Sequence, residues 1–261
     1  MKSSKNKVER YNNLIRRVAN WPAYLLFKIL DRQESFCFQL RNSFSVDVKR
    51  RMLPSFKESF FDNIYLRALP DSLLNHPHPL IVDIGANAGF FALNMFYHFP
   101  GARVLAYEPV PFNFNILQGY QEQYPDFDLQ VFQEAVSGKD TTLLLSLSKL
   151  DGYTTMASVF ESESRSYRLE VPALSLQTMM RQQQIDRIDL LKLDCEGAEY
   201  DILYQAPDDI LQRVSNMSIE THEGSNESEN LLALKVFLEN KGFATQALEE
   251  GKYSYLWAWR N

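Results

Sequence analysis

The stretch Ile81–Phe90 reads I-V-D-I-G-A-N-A-G-F. Its apolar residues predict a strand that carries Asp83 directly into a turn spaced by Gly85 and Gly89, and a helical segment follows at once. In such a strand–glycine loop–helix unit, glycine lets the backbone approach a nucleotide-like ligand closely. The stretch therefore predicts an α/β fold and places a ligand site at the glycine loop.

The rest of the chain after residue 80 alternates strand-like and helix-like segments. The predicted strands are Leu80–Ile84, Arg103–Tyr107, Leu129–Val136, Asp189–Asp194, Val214–Glu220, Phe243–Leu248 and Tyr253–Trp259. Alternating elements of this kind indicate a mostly parallel sheet covered by helices on both faces. The last two strands are separated only by a short turn, which predicts a C-terminal antiparallel hairpin at the sheet edge.

The N-terminal segment differs from the rest of the chain in pattern and charge. Residues 8–30 look helical with a break at Pro22, residues 36–48 read as a hairpin, and Pro54–Leu69 reads as an aromatic-rich helix. We therefore predict an N-terminal helical and hairpin extension over residues 1–70, serving as a lid or a partner contact, and a main domain over residues 71–261.

The N-terminal helix has two interpretations. Residues 1–60 carry 13 lysines and arginines against five acidic residues, so the helix could lie on a membrane surface as a basic amphipathic segment. It could equally cap the main domain or form the contact of a homodimer. We favour the packing role over the membrane role, because its aromatic face packs as well on protein.

Composition excludes several classes of function. The net charge of −6 argues against a nucleic-acid partner, which normally requires a dominant basic surface. Two cysteines, Cys37 and Cys195, make no disulfide framework, and we expect a protein of the reducing cytoplasm. The longest apolar stretch near the N-terminus is too short to cross a bilayer.

Two predicted strand ends bear on cofactor binding, since ligands of such sheets lie at the carboxyl ends of the strands. The loop spacing is G-x-x-x-G, which suits a cofactor without phosphates, and Asp83 could pair with an ammonium group of that cofactor. Glu108 ends the next strand, 19 residues beyond Gly89. A carboxylate near this offset accepts hydrogen bonds from a ribose diol; the alternative is a glutamate exposed to water.

A third strand ends in L-L-K-L-D-C-E-G-A-E, residues 190–199. Burying several carboxylates costs desolvation energy, so catalysis or helix capping must account for Asp194 and Glu196. Alternatively, Glu199 lies in the first turn of the next helix, where the helix dipole stabilises its negative charge.

Three motifs in this order, D-I-G-A-N-A-G-F, Y-E-P and K-L-D-C-E-G-A-E, resemble the FkbM-type S-adenosylmethionine-dependent methyltransferases. The resemblance extends over about residues 36–260 and includes F-Q-L-R-N-S-F upstream and I-E-T-H at residues 219–222. It implies a Rossmann-like class I methyltransferase fold with a seven-stranded sheet and S-adenosylmethionine as cofactor. The cofactor-binding residues that it implies are Asp83, Gly85, Ala86, Asn87, Gly89, Phe90, Glu108, Pro109, Glu134 and Ala135.

Methyl transfer to oxygen requires alignment of the acceptor and removal of its proton. His222 follows the fifth strand, and an ordinary imidazole pKa of about 6.5 suits a general base. Asp194 and Glu196 would position the acceptor hydroxyl or share the role of base. As an alternative, Asp194, Glu196, Glu220 and His222 could hold a metal ion, although their spacing matches no defined ligand motif, and we predict no metal.

The sequence thus predicts an O-methyltransferase for a hydroxyl of a saccharide, glycolipid or secondary metabolite. Tyr153, Thr154 and Thr155 are candidate acceptor contacts. Two alternatives remain: a nicotinamide-dependent oxidoreductase, disfavoured by the missing third glycine, and a non-catalytic adaptor acting through the N-terminal helix.

Overall fold

A computed structural model describes residues 2–30, 33–42, 44–147, 167–250 and 253–260. The chain divides into two compact units, Met1–Arg67 and Ala68–Asn261, which we call the N-terminal unit and the C-terminal unit. The division predicted from the sequence, an extension over residues 1–70 that serves as a lid or partner contact and a main domain over residues 71–261, stays a prediction. No helix among the described residues is long and apolar enough to span a membrane.

The N-terminal unit combines two helices with a hairpin and a run of short helical turns. Its elements are α1 (Lys2–Arg17), α2 (Trp21–Ile29), β1 (Ser35–Gln39), β2 (Ser45–Lys49), a 3₁₀ turn (Arg50–Met52), α3 (Leu53–Lys57), a π-helical turn (Glu58–Asp62) and a 3₁₀ turn (Ile64–Leu66). Strands β1 and β2 pair antiparallel. The single helix expected over Pro54–Leu69 is wrong, because Asn63 adopts a left-handed conformation with φ +51 that ends the helical path.

Aromatic side chains form the core of the N-terminal unit. The ring of Phe38 stacks on Phe56 with centroids 4.2 Å apart, and Phe56 stacks on Phe60 at 4.6 Å. Tyr24 packs on Phe38 at 4.9 Å. Both α2 and the hairpin therefore bury one face, which explains why their apolar residues recur at regular intervals.

The C-terminal unit alternates strands and helices as the sequence predicts. Its elements are α4 (Asp71–Leu74), β3 (Leu80–Ile84), α5 (Phe90–His98), β4 (Arg103–Tyr107), α6 (Pro111–Gln123), β5 (Asp128–Phe132), β6 (Ala135–Ser137), β7 (Thr141–Leu147), β8 (Tyr167–Ser175), α7 (Leu176–Gln182), β9 (Leu190–Leu193), α8 (Glu199–Gln205), α9 (Asp208–Gln212), β10 (Asn216–Thr221), α10 (Leu231–Asn240), β11 (Ala244–Glu250) and β12 (Tyr253–Trp259).

Seven of these strands form one sheet in the order β11-β12-β10-β9-β3-β4-β5. Strand β12 runs antiparallel to β10 and β11, whereas the pairs from β10 to β5 are parallel. The prediction of an α/β fold with a mostly parallel seven-stranded sheet is confirmed. Strand order reverses between β3 and β9, and ligands of open α/β sheets bind at such a switch point.

A three-stranded sheet in the order β6-β8-β7 stands apart from the seven-stranded one. The single strand expected over Leu129–Val136 is wrong, because the chain leaves the large sheet after Phe132 and pairs again with β8 from Ala135. The sequence also predicts a short strand or loop over Tyr153–Phe160, and this segment lies outside the described residues.

The central strands are buried because their sequences are almost continuously apolar. Val82, Leu105, Leu191 and Leu193 have no exposed surface, as expected for parallel strands covered on both faces. Their burial leaves the polar residues at the strand ends as the chemically active part of the sheet.

Candidate active site

The glycine loop between β3 and α5 passes along the carboxyl end of the sheet. Gly85 has φ +75, and a Cβ at this position would lie 1.9 Å from the carbonyl oxygen of Asp194. Only glycine lets the loop run this close to the end of β9. The amides of Gly85 and Ala86 donate to the carbonyl of Tyr107 at 3.1 and 3.0 Å, which fixes the loop to β4 as well.

The remainder of the loop turns the chain into α5. Asn87 has φ +52 and Gly89 has φ +80, and the amide of Gly89 donates to the carbonyl of Ala86 at 2.8 Å. Phe90 begins α5 and is buried. These contacts give the loop one defined shape beside the strand ends.

A buried lysine, Lys192, contacts the glycine loop. Nζ of Lys192 on β9 lies 3.0 Å from Oδ1 of Asp83 and 3.7 Å from Oδ2 of Asp194, and it donates to the carbonyl of Gly85 at 2.8 Å. Burial alone would lower the pKa of Lys192, but the charges of Asp83 and Asp194 raise it well above its usual range. The ammonium partner of Asp83 in the free protein is therefore Lys192.

Glu108 lies at the end of β4 with its carboxylate facing the loop. Oε2 accepts from the amide of Asn87 and Oε1 from the amide of Val110, both at 2.8 Å. Burial raises the pKa of Glu108 to about 7, against the opposing effect of these two hydrogen bonds. The alternative of an exposed glutamate is wrong, since the residue is only 4% exposed. A carboxylate offers about four acceptor sites, so further donors can be accepted.

The three-stranded sheet provides apolar side chains to the same crevice as Glu108. Val136 of β6 and Leu143 and Leu145 of β7 face the crevice, next to Glu134 and Ala135. Apolar side chains with a few polar groups are typical of small-molecule sites.

The turn after β9 brings two carboxylates to the crevice. Asp194 and Glu196 both line it, and Glu196 has φ +54 while Gly197 has φ +107. The left-handed backbone of a non-glycine residue is uncommon and concentrates at functional sites. It directs the chain sharply from β9 into α8.

Glu199 stabilises this turn and holds His222. Its carboxylate is fully buried and accepts from the amides of Cys195 at 3.0 Å and Gly197 at 2.9 Å. Nδ1 of His222 lies 2.9 Å from Oε1 of Glu199. Glu199 begins α8, as its alternative interpretation expected, but it also orients the imidazole.

His222 follows β10, and its ring is surrounded by acidic groups. Nε2 lies 3.9 Å from Oε2 of Glu196 and 4.0 Å from Oε1 of Glu220. Burial would lower the pKa of His222, but the hydrogen bond and charge of Glu199, with Asp194 and Glu196, raise it to about 10. His222 is therefore an imidazolium at neutral pH in the free protein, which differs from the pKa of about 6.5 assumed from the sequence.

The described residues enclose one crevice at the switch point of the sheet, with a volume of about 650 Å³ including its open mouth. The predicted residues that line it are Gly85, Asn87, Glu108, Pro109, Glu134, Ala135, Asp194 and Glu196. The predicted residues outside that lining are Asp83, Ala86, Gly89, Phe90 and His222. The lining residues that sequence reasoning missed are Ile84, Tyr107, Asn113, Val136, Leu143, Leu145, Cys195 and Ala198.

Three side chains have the arrangement of a candidate metal site. Asp194, Glu220 and His222 each offer a ligand atom, and these atoms lie within 4.8 Å of one another. The imidazolium of His222 already neutralises part of the negative charge of the two carboxylates. Tyr153, Thr154 and Thr155, the candidate acceptor contacts, lie outside the described residues.

Residues 83–245 match the model of the methyltransferase FkbM domain. The chain belongs to the FkbM methyltransferase family. It is therefore a methyltransferase, and its cofactor is S-adenosylmethionine, the methyl donor of this family. Membership of this family excludes the alternative that the chain is a nicotinamide-dependent oxidoreductase.

Curated relatives agree with the family. The chain is 30% identical to methyltransferase sdnD of Sordaria araneosa over 72% of this chain and 80% of the relative. It is 25% identical to the 31-O-demethyl-FK506 methyltransferase FkbM of Streptomyces tacrolimicus over 75% of this chain and 83% of the relative.

Two solved structures are similar at lower identity. The METTL16 methyltransferase domain has a TM-score of 0.48 at 15% identity, covering 91% of each chain. Magnesium protoporphyrin IX methyltransferase from Synechocystis has a TM-score of 0.42 at 13% identity, covering 81% of this chain and 83% of that one.

Proposed function

We propose that this chain transfers a methyl group from S-adenosylmethionine to a hydroxyl oxygen of a saccharide, glycolipid or secondary metabolite. The observation that carries the proposal is the pairing of Glu199 with His222, whose Nε2 lies 3.9 Å from the carboxylate of Glu196 in the crevice lining. An oxygen acceptor must lose a proton on methylation, and this group of side chains can take it. The name of the Streptomyces relative, a 31-O-demethyl-FK506 methyltransferase, supports oxygen as the acceptor atom.

The crevice fits the cofactor on the chain's own geometry. It combines apolar side chains with a few polar groups, as small-molecule sites do, and a Cβ at Gly85 would close the loop against β9. Glu108 would accept from the ribose diol beside its two amide donors. Glu134 and Ala135 would lie at the adenine, against the apolar side chains of the three-stranded sheet.

The glycine loop would hold the methionine part of the cofactor. Gly85 and Asn87 line the crevice there, with Ala86 and Gly89 shaping the turn and Phe90 anchoring it. Pro109 completes the wall beside Glu108. Asp83 contributes through Lys192, whose Nζ fixes the carbonyl of Gly85.

Bound S-adenosylmethionine supplies an electrophilic methyl group on a sulfonium. The task of this chain is to orient the acceptor oxygen in line with that methyl and to receive its proton. Asp194 and Glu196, which line the crevice, would orient the hydroxyl through hydrogen bonds. Alignment of this kind contributes a large share of the rate enhancement of a two-substrate reaction.

His222 would act as the base in its neutral form. Its pKa of about 10 in the free protein falls when positive charge enters the crevice that Glu196 lines, because a like charge disfavours the imidazolium. Nε2 then receives the hydroxyl proton, and Glu199 at Nδ1 stabilises the imidazolium that forms.

We also propose a cytoplasmic location, since Cys37 and Cys195 are both free.

Labelled methyl incorporation into hydroxyl-rich extracts tests the reaction. Incubation with isotopically labelled S-adenosylmethionine should give a product in which the labelled methyl group replaces one hydroxyl hydrogen and whose carbon spectrum shows a methyl ether. A methylamine or a new carbon–carbon bond in the product would contradict transfer to oxygen.

Two variants test the assigned roles. Glu108→Ala should weaken S-adenosylmethionine binding in calorimetry, whereas His222→Ala should lower turnover by about 10²–10⁴-fold with little change in that affinity. His76→Ala, at an exposed histidine, is the matched control and should leave both quantities unchanged. Near-normal turnover of His222→Ala would remove His222 as base.

A further inference from the structure

The charge of the chain is divided unevenly between its two units. Residues 1–67 contain 14 lysines and arginines and six acidic residues, a surplus of +8. Since the whole chain carries −6, residues 68–261 carry −14. The N-terminal unit alone therefore has the electrostatic character of a protein that binds an anionic surface.

Several basic residues lie on or close to α2. Nζ of Lys57 is half-buried, and burial together with the positive charges of Arg10 and Lys28 lowers its pKa. The guanidinium of Arg50 lies 4.1 Å from the ring centroid of Phe27 on α2 and donates to its carbonyl at 3.2 Å. Asp62 pairs with Arg10 at 3.2 Å and provides one negative charge. Arg50 therefore lies at the buried side of α2, whereas Lys28 is exposed on the helix itself.

α2 also exposes an apolar face. Leu26, Ile29 and Leu30 are 59%, 77% and 56% exposed, and their spacing of three and four residues puts them on one side of the helix. Tyr24 and Phe27, on the other side, are buried in the aromatic core. The core therefore does not require the three aliphatic side chains, and exposing them to water has a cost that a partner would remove.

We propose that the α2 face, defined as Leu26, Ile29 and Leu30, docks into the surface of an anionic lipid bilayer while exposed cations of the N-terminal unit, Lys28 among them, contact lipid phosphates. An interfacial helix buries its apolar face at the boundary of headgroups and acyl chains and gains electrostatic attraction to anionic lipids. α2 combines both features on one short helix. The inference is independent of the acceptor, and it reverses the preference for a packing role that the sequence alone favoured.

A bilayer explains this surface better than a polyanion in solution. Nucleic acid would be held by the cations alone, and three exposed aliphatic side chains add nothing to phosphate recognition. A lipid surface uses both the cations and the aliphatic side chains. Docking there would bring the enzyme to acceptors that are themselves lipids or membrane-bound precursors.

Vesicle flotation of the full chain tests the proposal. The protein should float with phosphatidylcholine vesicles that contain phosphatidylglycerol and far less with phosphatidylcholine alone, and raised salt should release it. The triple variant Leu26→Ser, Ile29→Ser, Leu30→Ser should lose at least about tenfold in vesicle affinity. Lys28→Glu should weaken binding mainly at low salt.

A matched control comes from the acidic unit. Leu232 and Val236 on α10 are 69% and 47% exposed, and the double variant Leu232→Ser, Val236→Ser should float like the unchanged chain. Circular dichroism and urea unfolding show whether each variant is folded, and calorimetry of S-adenosylmethionine binding shows that the C-terminal unit is unchanged.

Several outcomes would overturn the proposal. Equal flotation of the triple variant, or equal binding to neutral and anionic vesicles, excludes the α2 face as an anionic-membrane anchor. Sedimentation showing that the chain is a dimer and the triple variant a monomer would assign the face to a second copy instead.

Discussion

Nζ of Lys192 lies 3.0 Å from Oδ1 of Asp83, and both side chains are buried beneath the glycine loop. The same ammonium donates to the carbonyl of Gly85 at 2.8 Å. One buried cation therefore joins β9, β3 and the loop that we assign to the cofactor. The ion pair should contribute both to the stability of the fold and to cofactor binding, and variants can separate the two contributions.

Lys192→Met should destabilise the fold by about 3–5 kcal/mol, because it leaves Asp83 buried without a partner. The double variant Asp83→Leu, Lys192→Met removes both charges and should regain most of that stability in urea unfolding. It should still bind S-adenosylmethionine more weakly in calorimetry, since the carbonyl of Gly85 has lost its donor.

An exposed ion pair provides the control for this experiment. Lys235 and Glu239 pair across one turn of α10, and Lys235→Met should change stability by no more than about 0.5 kcal/mol. If the double variant Asp83→Leu, Lys192→Met binds the cofactor with unchanged affinity, Lys192 contributes to stability and not to cofactor binding.

Gly85→Ala should abolish cofactor binding while leaving a folded protein of reduced stability. The added Cβ would meet the carbonyl of Asp194 at 1.9 Å in a backbone conformation that alanine disfavours, so the loop must move away from β9. A Cβ at Gly119 in α6 would meet no other atom within 4 Å, and Gly119→Ala should keep the affinity and gain about 0.5–1 kcal/mol of stability. Calorimetry and urea unfolding measure both effects.

Cofactor affinity should depend on the ionisation of Glu108. Burial raises its pKa to about 7 in the free protein, so the carboxylate fraction increases with pH through that value. Since the ribose diol donates to the carboxylate, the affinity should fall by up to about tenfold per pH unit below pH 7. Calorimetry between pH 8 and pH 6 measures this.

Two variants show whether Glu108 is the titrating group. Glu108→Gln should bind weakly with no dependence on pH, whereas Glu134→Gln, which removes another carboxylate of the crevice, should keep the dependence. A flat profile for the unchanged chain would contradict the assignment.

The rate of methyl transfer should increase with pH into the alkaline range. Glu199 contributes to the raised pKa of His222, and the neutral imidazole is the active form in our mechanism. Glu199→Gln should therefore move the inflection of the pH–rate profile to lower pH, because the imidazolium loses its negative partner. An unmoved inflection would exclude His222 as the group that titrates.

The sequence predicts those parts of the site that depend on local spacing. Gly85 and Glu108 are found because glycine at a strand end and an acidic residue at the next one follow from local constraints. The pairing of Glu199 with His222 is not found in this way, since it joins the start of α8 to the residue after β10, 23 residues apart. Lys192 is also missed, because a lysine within an apolar strand indicates nothing until its partner is known.

The errors in the fold have similar causes. The run Leu129–Val136 has no glycine or proline to mark a break, so only the pairing of Ala135 with Ala173 shows that the chain has changed sheets. The helix expected over Pro54–Leu69 ends at Asn63, whose left-handed backbone is fixed by tertiary packing; its Oδ1 accepts from Arg17 at 3.2 Å. Long-range contacts of this kind leave no periodic signal.

Chelation of divalent metals should leave methyl transfer unchanged. Asp194, Glu220 and His222 offer ligand atoms within 4.8 Å of one another, but Nε2 of His222 holds a proton with a pKa of about 10. A cation must displace this proton, which weakens its binding at neutral pH. Turnover measured after treatment with EDTA, and again after addition of Mg²⁺ or Mn²⁺, should be the same. Loss of activity that either cation restores would show that the three side chains are metal ligands and that the general-base role of His222 is wrong.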